Sequence, residues 1–132
     1  MTRFVLAPDA AMVLAAQRAA VPVRHRLLAP TLFRSQVLAH LYGQVRMGEF
    51  ARQEAEVRLT YLRKLQLRYL GDRSLQQVAW RLTEQLGWND TFRAEYLALT
   101  QLQAEALVTL DADLMRSAAN MVVFSSVEDL LA

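Results

Sequence analysis

Five short apolar runs, none longer than six residues, alternate along the chain with stretches whose apolar residues recur at helical spacing. They are Arg3–Leu6, Arg26–Ala29, Leu65–Leu70, Ala106–Leu110 and Met121–Phe124. Strands joined through helices cannot form hairpins; they need crossover connections, which build parallel pairs. The alternation predicts an α/β fold with a central, mainly parallel sheet of four or five strands flanked by helices. With 132 residues, no repeat and no linker-like tract, the chain reads as a single domain over residues 1–132.

The stops between the runs place the helices. Pro8 ends the first run, and an Ala-rich helix is expected from Asp9 to about Ala20, closed by Val21-Pro22. Pro30 ends the second; Thr31 is placed to cap a helix carrying Leu32, Val37, Leu38, Leu41 and Val45 and stopped by Gly48. Glu49 to about Lys64 reads as a further helix, with Phe50, Val57 and Tyr61 inward and alternating charges outward. Asp72 or Ser74 caps a helix ending at Gly87, and Asp90 or Thr91 opens one through Phe92, Tyr96, Leu97 and Leu99. Asp111 starts a short helix to Ala118, and Ser125 or Ser126 caps a final turn.

Composition removes several chemistries. Without cysteine there is no disulfide framework and no thiolate metal site, and a reducing compartment is permitted. No stretch approaches the roughly 18 apolar residues of a membrane span, and no signal-length segment develops before Pro8. A soluble, cytoplasmic protein without membrane association is expected. The four glycines form no phosphate-cradling loop, and Ser35, Ser125 and Ser126 lack a nucleophile-elbow context. His25 and His40 share no metal-ligand spacing, though His40 lies one helical turn after Gln36 and so shares its face. Net charge is only +2, yet Lys64 is the single lysine among the basic residues. Arginine forks suit phosphate. Arg58, Arg63, Lys64 and Arg68 form the densest basic stretch, which serves either as contacts to an RNA backbone or as a solvated face. Trp80 and Trp88 read as core or interface anchors.

In an open parallel sheet, ligands bind beyond the carboxyl ends of the strands. Asp9 follows the first run and Asp111 the fourth, so both reach one edge if their strands are neighbours. Each position equally suits a helix cap. Four segments, taken in order, resemble the motifs of PIN-domain ribonucleases of the VapC toxin kind. Phe4-Val5-Leu6-Ala7-Pro8-Asp9 is similar to the opening strand and its aspartate, and Leu28 to Leu38 to the strand, proline and glutamate-bearing helix. Trp88 to Leu99 is similar to the third motif, and Ala106-Leu107-Val108-Thr109-Leu110-Asp111 to the fourth, a strand reading Val-Thr-x-Asp.

The resemblance implies a PIN-like fold and a Mg2+- or Mn2+-dependent endoribonuclease held silent by a small antitoxin. It also implies a homodimer through the Thr31–Lys64 helices, whose Phe33, Leu41, Tyr42, Met47, Phe50, Leu59 and Leu62 exceed one inward stripe. Hard divalent cations want oxygen ligands, and phosphodiester attack needs polarised phosphate and activated water. The sequence departs from that pattern. The first aspartate position falls at Ala7, with Asp9 two residues later; Gln36 stands for the glutamate and Arg93 for the third-motif aspartate. Asp111 alone matches. With Asp9 and Asp111 negative, Gln36 neutral and Arg93 positive, the four sum to −1.

Inside the cleft, Arg93 would fork with Asp9 or Asp111 and take a cation's place. Asp90 and Asp113 lie close enough in sequence to supply a replacement ligand, although Asp90 also suits a cap. The expected site is thus Asp9, Asp111, Gln36 and Asp90, with Asp9 and Asp111 as metal ligands. Two functions follow: an endoribonuclease of weak or altered activity, or a catalytically inactive module of the same fold that binds RNA or an antitoxin-like protein.

Overall fold

Phe4, Val5 and Leu6 are buried along the first strand, as a continuous apolar run requires of a strand covered on both faces. In the computed structural model, which describes residues 1–132, this strand β1 (Arg3–Leu6) is the centre of a five-stranded sheet. The others are β2 (Arg26–Pro30), β3 (Arg68–Leu70), β4 (Ala106–Val108) and β5 (Phe124–Ser125). Their spatial order is β3-β2-β1-β4-β5, and every pair is parallel. The chain therefore builds outward from β1 to β3, then returns across the sheet to place β4 on the other side of β1.

Helix α1 (Pro8–Gln17) joins β1 to β2, and α2 (Phe33–Arg46) and α3 (Arg52–Lys64) join β2 to β3. The return is made by α4 (Arg73–Leu86) and α5 (Phe92–Gln103); α6 (Ala112–Ser117) and α7 (Val127–Leu131) complete the chain. Right-handed crossovers running in opposite directions put the α1–α3 set and the α4–α5 pair on opposite faces. Helix α5 packs along β1, β2 and β4, with Ala94, Leu97 and Ala98 fully buried. The core is one cluster centred on β1, and Leu6, Leu14, Leu97 and Leu107 are shut off from solvent.

Most boundaries follow the sequence chemistry, and five do not; helix α1 ends at Gln17, short of Ala20, where Arg18 turns left-handed (φ 49°). Helix α3 begins at Arg52 rather than Glu49, because Gly48 takes a left-handed conformation (φ +77°) that turns the chain first. Strand β3 starts at Arg68 rather than Leu65: Leu65 caps α3 and Gln66 is left-handed (φ +57°), so no extended run can form there. Strand β4 ends at Val108 rather than Leu110, and β5 occupies Phe124–Ser125 rather than Met121–Phe124. Thr31 does not cap α2; Leu32 holds that position without a side-chain bond. Thr31 lies instead against Gly71, where an added Cβ would come to 3.0 Å from its hydroxyl, so the Thr31 side chain would have to give way. Asp72, Asp111 and Ser126 cap α4, α6 and α7, and Ser126 forms a capping box with Asp129.

Candidate functional site

The strand order reverses between β1 and β4, and the crevice beyond their carboxyl ends is where such sheets take ligands. Asp9 stands in the first turn of α1, directly after β1, and Thr109-Leu110-Asp111 leaves β4 beside it. Ala7 donates its N–H to Val108 O at 3.0 Å, prolonging the ladder and fixing the register of the two exits. The Asp9 carboxylate accepts from the Thr109 hydroxyl (2.9 Å to Oδ2, 3.1 Å to Oδ1), from Leu110 N–H (3.0 Å) and from its neighbour Ala10 N–H (2.7 Å). Thr109 Oγ1 in turn accepts from Asp111 N–H at 3.2 Å. One hydroxyl thus ties the two strand-end aspartates together.

Thr109 is 5% exposed. The other buried threonines, Thr83 and Thr100, bond back to carbonyls of their own helices, so Thr109 is the one committed to another element. Asp111 uses Oδ1 to accept from Leu114 N–H at 3.1 Å, capping α6, so the cap reading and the edge reading of this residue hold together. Ala7 is a core residue, 6% exposed. The first acid beyond β1 is Asp9, in the first turn of α1, and the strand end itself carries none at Ala7.

Gln36 lies on α2, and its Oε1 accepts from the hydroxyl of Tyr96 on α5 at 2.6 Å. Burial chiefly, then the charges of Glu95 and Asp9 and the neighbouring Tyr69, holds the Tyr96 proton on well above the usual phenol range. Tyr96 is therefore a fixed donor, and Asp9 is near enough for its charge to be felt there. With Oε1 engaged, the free group of Gln36 is its NH2, which suits an anion rather than a cation. On the same helix Glu95 is partly buried; its carboxyl is pushed up by burial and partly offset by a bond from Thr91.

Arg93 does not enter the crevice. Its guanidinium carbon lies 4.1 Å above the Trp88 ring on the exposed first turn of α5, and it pairs with no carboxylate. A flat apolar ring five residues away outcompetes the charge attraction assumed for the cleft. Removing its charge leaves Asp9, Gln36 and Asp111 summing to −2 instead of −1. Asp90 accepts from Phe92 N–H at 3.1 Å on an exposed turn, and Asp113 pairs with Arg116 one turn along α6. No three His, Asp or Glu side chains converge anywhere.

The basic stretch is divided by the fold. Arg58 forms an internal cross-link, 2.8 Å from Glu54 and stacked on Phe50, so it is not a free backbone contact. Arg63 borders a groove of about 490 Å3 between α2, α3 and β3. Lys64 and Arg68 face a different cleft at the amino-terminal edge of the sheet. His40 is exposed and His25 sits at that far edge. Thr109 and Tyr96, which hold the site together, were not candidates in the sequence; the Thr-x-Asp spacing was the signal for the first.

No helix is long and apolar enough to cross a membrane. No family model matches the sequence, and no curated protein does. Among matching solved structures, PAE2754 from Pyrobaculum aerophilum superposes with a TM-score of 0.74 at 22% identity, over 98% of this chain and 93% of that one. VapBC2 from Rickettsia felis, bound to a DNA fragment from its promoter, gives 0.58 at 13% identity, over 94% and 98%. VapBC-1 from nontypeable Haemophilus influenzae gives 0.57 at 11%, over 96% and 98%. The chain has the PIN-like, VapC-like fold, an all-parallel five-stranded sheet flanked by helices.

Proposed function

We propose that this chain is a VapC-like PIN-domain protein related to metal-dependent endoribonucleases, with cleavage of single-stranded or structured RNA weakened by the loss of carboxylates. The observation that carries this reading is the Asp9–Thr109–Asp111 link at the β1/β4 crevice. One or two carboxylates suffice to hold Mg2+ where it keeps several waters and takes further ligands from substrate phosphate. Asp9 and Asp111 would hold the ion. When bound, it polarises phosphate and lowers the pKa of water.

The remaining residues have roles of their own. Thr109 and Leu110 N–H aim the Asp9 carboxylate, and the cap on α6 restrains Asp111. Tyr96 orients Gln36 so that its NH2 can donate to a phosphate oxygen. A chain with this set positions an RNA backbone better than it concentrates a cation.

The test is Gln36→Glu, which takes the local sum from −2 to −3 without moving the Tyr96 donor. Calorimetric titration should show weak Mn2+ binding by the wild type and binding at least about tenfold tighter by the variant, worth about 1.4 kcal/mol. RNA cleavage should rise in parallel. Tight stoichiometric binding by the wild type would instead assign it full nuclease competence.

A second reading, a protein-binding module without catalysis, is favoured by the α2–α3–β3 groove. Its walls are Phe33, Val37, Leu38, Leu59 and Tyr69, and Arg34 and Arg63 stand at its rim. An apolar helix with acidic flanks, as an antitoxin-like partner would supply, matches both features. Co-purification with such a partner, combined with no cleavage by wild type or Gln36→Glu, would select this reading.

A further inference from the structure

At the amino-terminal edge of the sheet, opposite the crevice, a cleft of about 610 Å3 opens between the starts of β1, β2 and β3 and the end of α3. Each of these strands begins with an arginine: Arg3, Arg26 and Arg68. All three line the cleft, together with Lys64 from the last turn of α3, and no aspartate or glutamate does. The chain has 13 acidic residues, and Arg18, Arg52, Arg58 and Arg116 each pair with one. None of the four cleft cations does. Glu105 is close by, but it accepts from the backbone N–H of Arg3; Arg26 Nε is directed at Met1 Sδ, at 3.2 Å.

Four permanent or near-permanent cations in one concavity repel each other, and low-dielectric walls focus their field. Helices α1 and α3 both end here, so their terminal carbonyls oppose this charge only in part. Besides the uncharged Gln66, the walls include the apolar Val21, Leu27, Leu28 and Leu65, and Tyr61, whose hydroxyl is already donated to Ala19 O at 2.6 Å. His25 stands edge-on to Phe4 at 5.0 Å, with both ring nitrogens buried and unpartnered. Burial first and Arg24 second lower its pKa, so the charged form is disfavoured there.

We infer that this cleft binds a small phosphorylated ligand of mononucleotide size. The phosphates meet Arg3, Arg26, Lys64 and Arg68, and the organic part lies against Leu27, Leu65 and Tyr61. The volume falls within the range of small-ligand sites, and charge-assisted arginine forks supply phosphate recognition. This site is separate from the Asp9–Asp111 crevice and does not depend on nuclease activity. A phosphate group can also come from a nucleic-acid backbone, so the test separates the two sources.

The full-length chain is titrated by calorimetry at low salt with pyrophosphate, AMP, ATP, adenosine and a single-stranded oligonucleotide. Pyrophosphate and ATP should bind stoichiometrically, adenosine should not, and affinity should fall as salt rises. The Arg26→Gln, Arg68→Gln double variant should lose about tenfold or more in affinity while keeping its circular dichroism and melting temperature. If that variant melts early, Lys64→Gln, at the exposed end of α3, replaces it with the same expectation. The proposal is overturned if no phosphate compound binds, or if the folded variants bind as well as wild type. It is also overturned if only the oligonucleotide binds, because the cleft would then follow a nucleic-acid backbone.

Discussion

Replacing Thr109 by valine removes one hydroxyl and nothing else of similar size, so it measures what the tie between Asp9 and Asp111 contributes. The hydroxyl donates to the Asp9 carboxylate at 2.9 Å and accepts from Asp111 N–H at 3.2 Å. A hydrogen bond to a charged group contributes about 1.5–3 kcal/mol, and an orphaned N–H costs about 1 kcal/mol, less where water can replace the partner. Asp111 is half-buried, so part of that second cost is recovered. Burying a methyl in place of a hydroxyl at this 5% exposed position offsets about 0.8 kcal/mol. The net expectation is a loss of about 2 kcal/mol. For a domain of 132 residues, about 2.1 cal/mol/K of unfolding entropy per residue turns this into a drop of about 7 °C in melting temperature.

Thermal melts at neutral pH of wild type, Thr109→Val and Thr109→Ser decide the matter. Serine keeps the hydroxyl, so it should recover most of the loss. In an Asp9→Asn background, the valine substitution should cost less than half as much, because the charge assistance has gone. A Thr109→Val protein as stable as wild type, or a serine variant as unstable as the valine one, would refute the coupling.

Two further outcomes are expected. The folded Tyr96 holds its proton beyond the usual range, so its contribution to stability is present below about pH 10 and is lost as pH rises past the unfolded value. Tyr61, also raised by burial, acts in the same direction. Denaturant midpoints from pH 8 to 11 should therefore fall above pH 10, and Tyr96→Phe should flatten the profile; an unchanged slope in that variant counts against the assignment. The exposed Tyr42 (65%) and Met47 (79%) on and just beyond α2 are expected to meet a second copy of the chain. Light scattering at high concentration should give a dimer, and Tyr42→Glu a monomer; a monomeric wild type would contradict this.

The element order and the placing of Asp9 and Asp111 after neighbouring strands were legible because both rest on local signals: apolar runs, their stops, and an aspartate after a strand. The side-chain contacts across elements were not legible. Gln36 and Tyr96 are 60 residues apart, and nothing in either segment announces a hydrogen bond between α2 and α5. Arg93 was read for its charge, but a long side chain follows its nearest favourable surface, and Trp88 offers one. Ala7 was taken for the acidic position because the resembled motif sets its aspartate directly after the strand; here Pro8 starts a helix at once, and the first acid, Asp9, lies in its first turn. Arg3, Arg26 and Arg68 look scattered in the sequence and become neighbours only through parallel register, which pairs Arg3 with Arg26 and Leu28 with Arg68.

The bond between Asp9 and Thr109 spans 100 residues. During synthesis at about 5–20 residues per second, Asp9 is made about 5–20 s before its partner exists. Strand β2 can pair with β1 early, since Arg3 meets Arg26, but β4 cannot reach β1 until Ala106 has left the ribosome. A nascent chain therefore carries Asp9 without Asp111 until about a hundred further residues have been made. Any chemistry that needs both aspartates at the crevice can begin only after β4 has paired with β1.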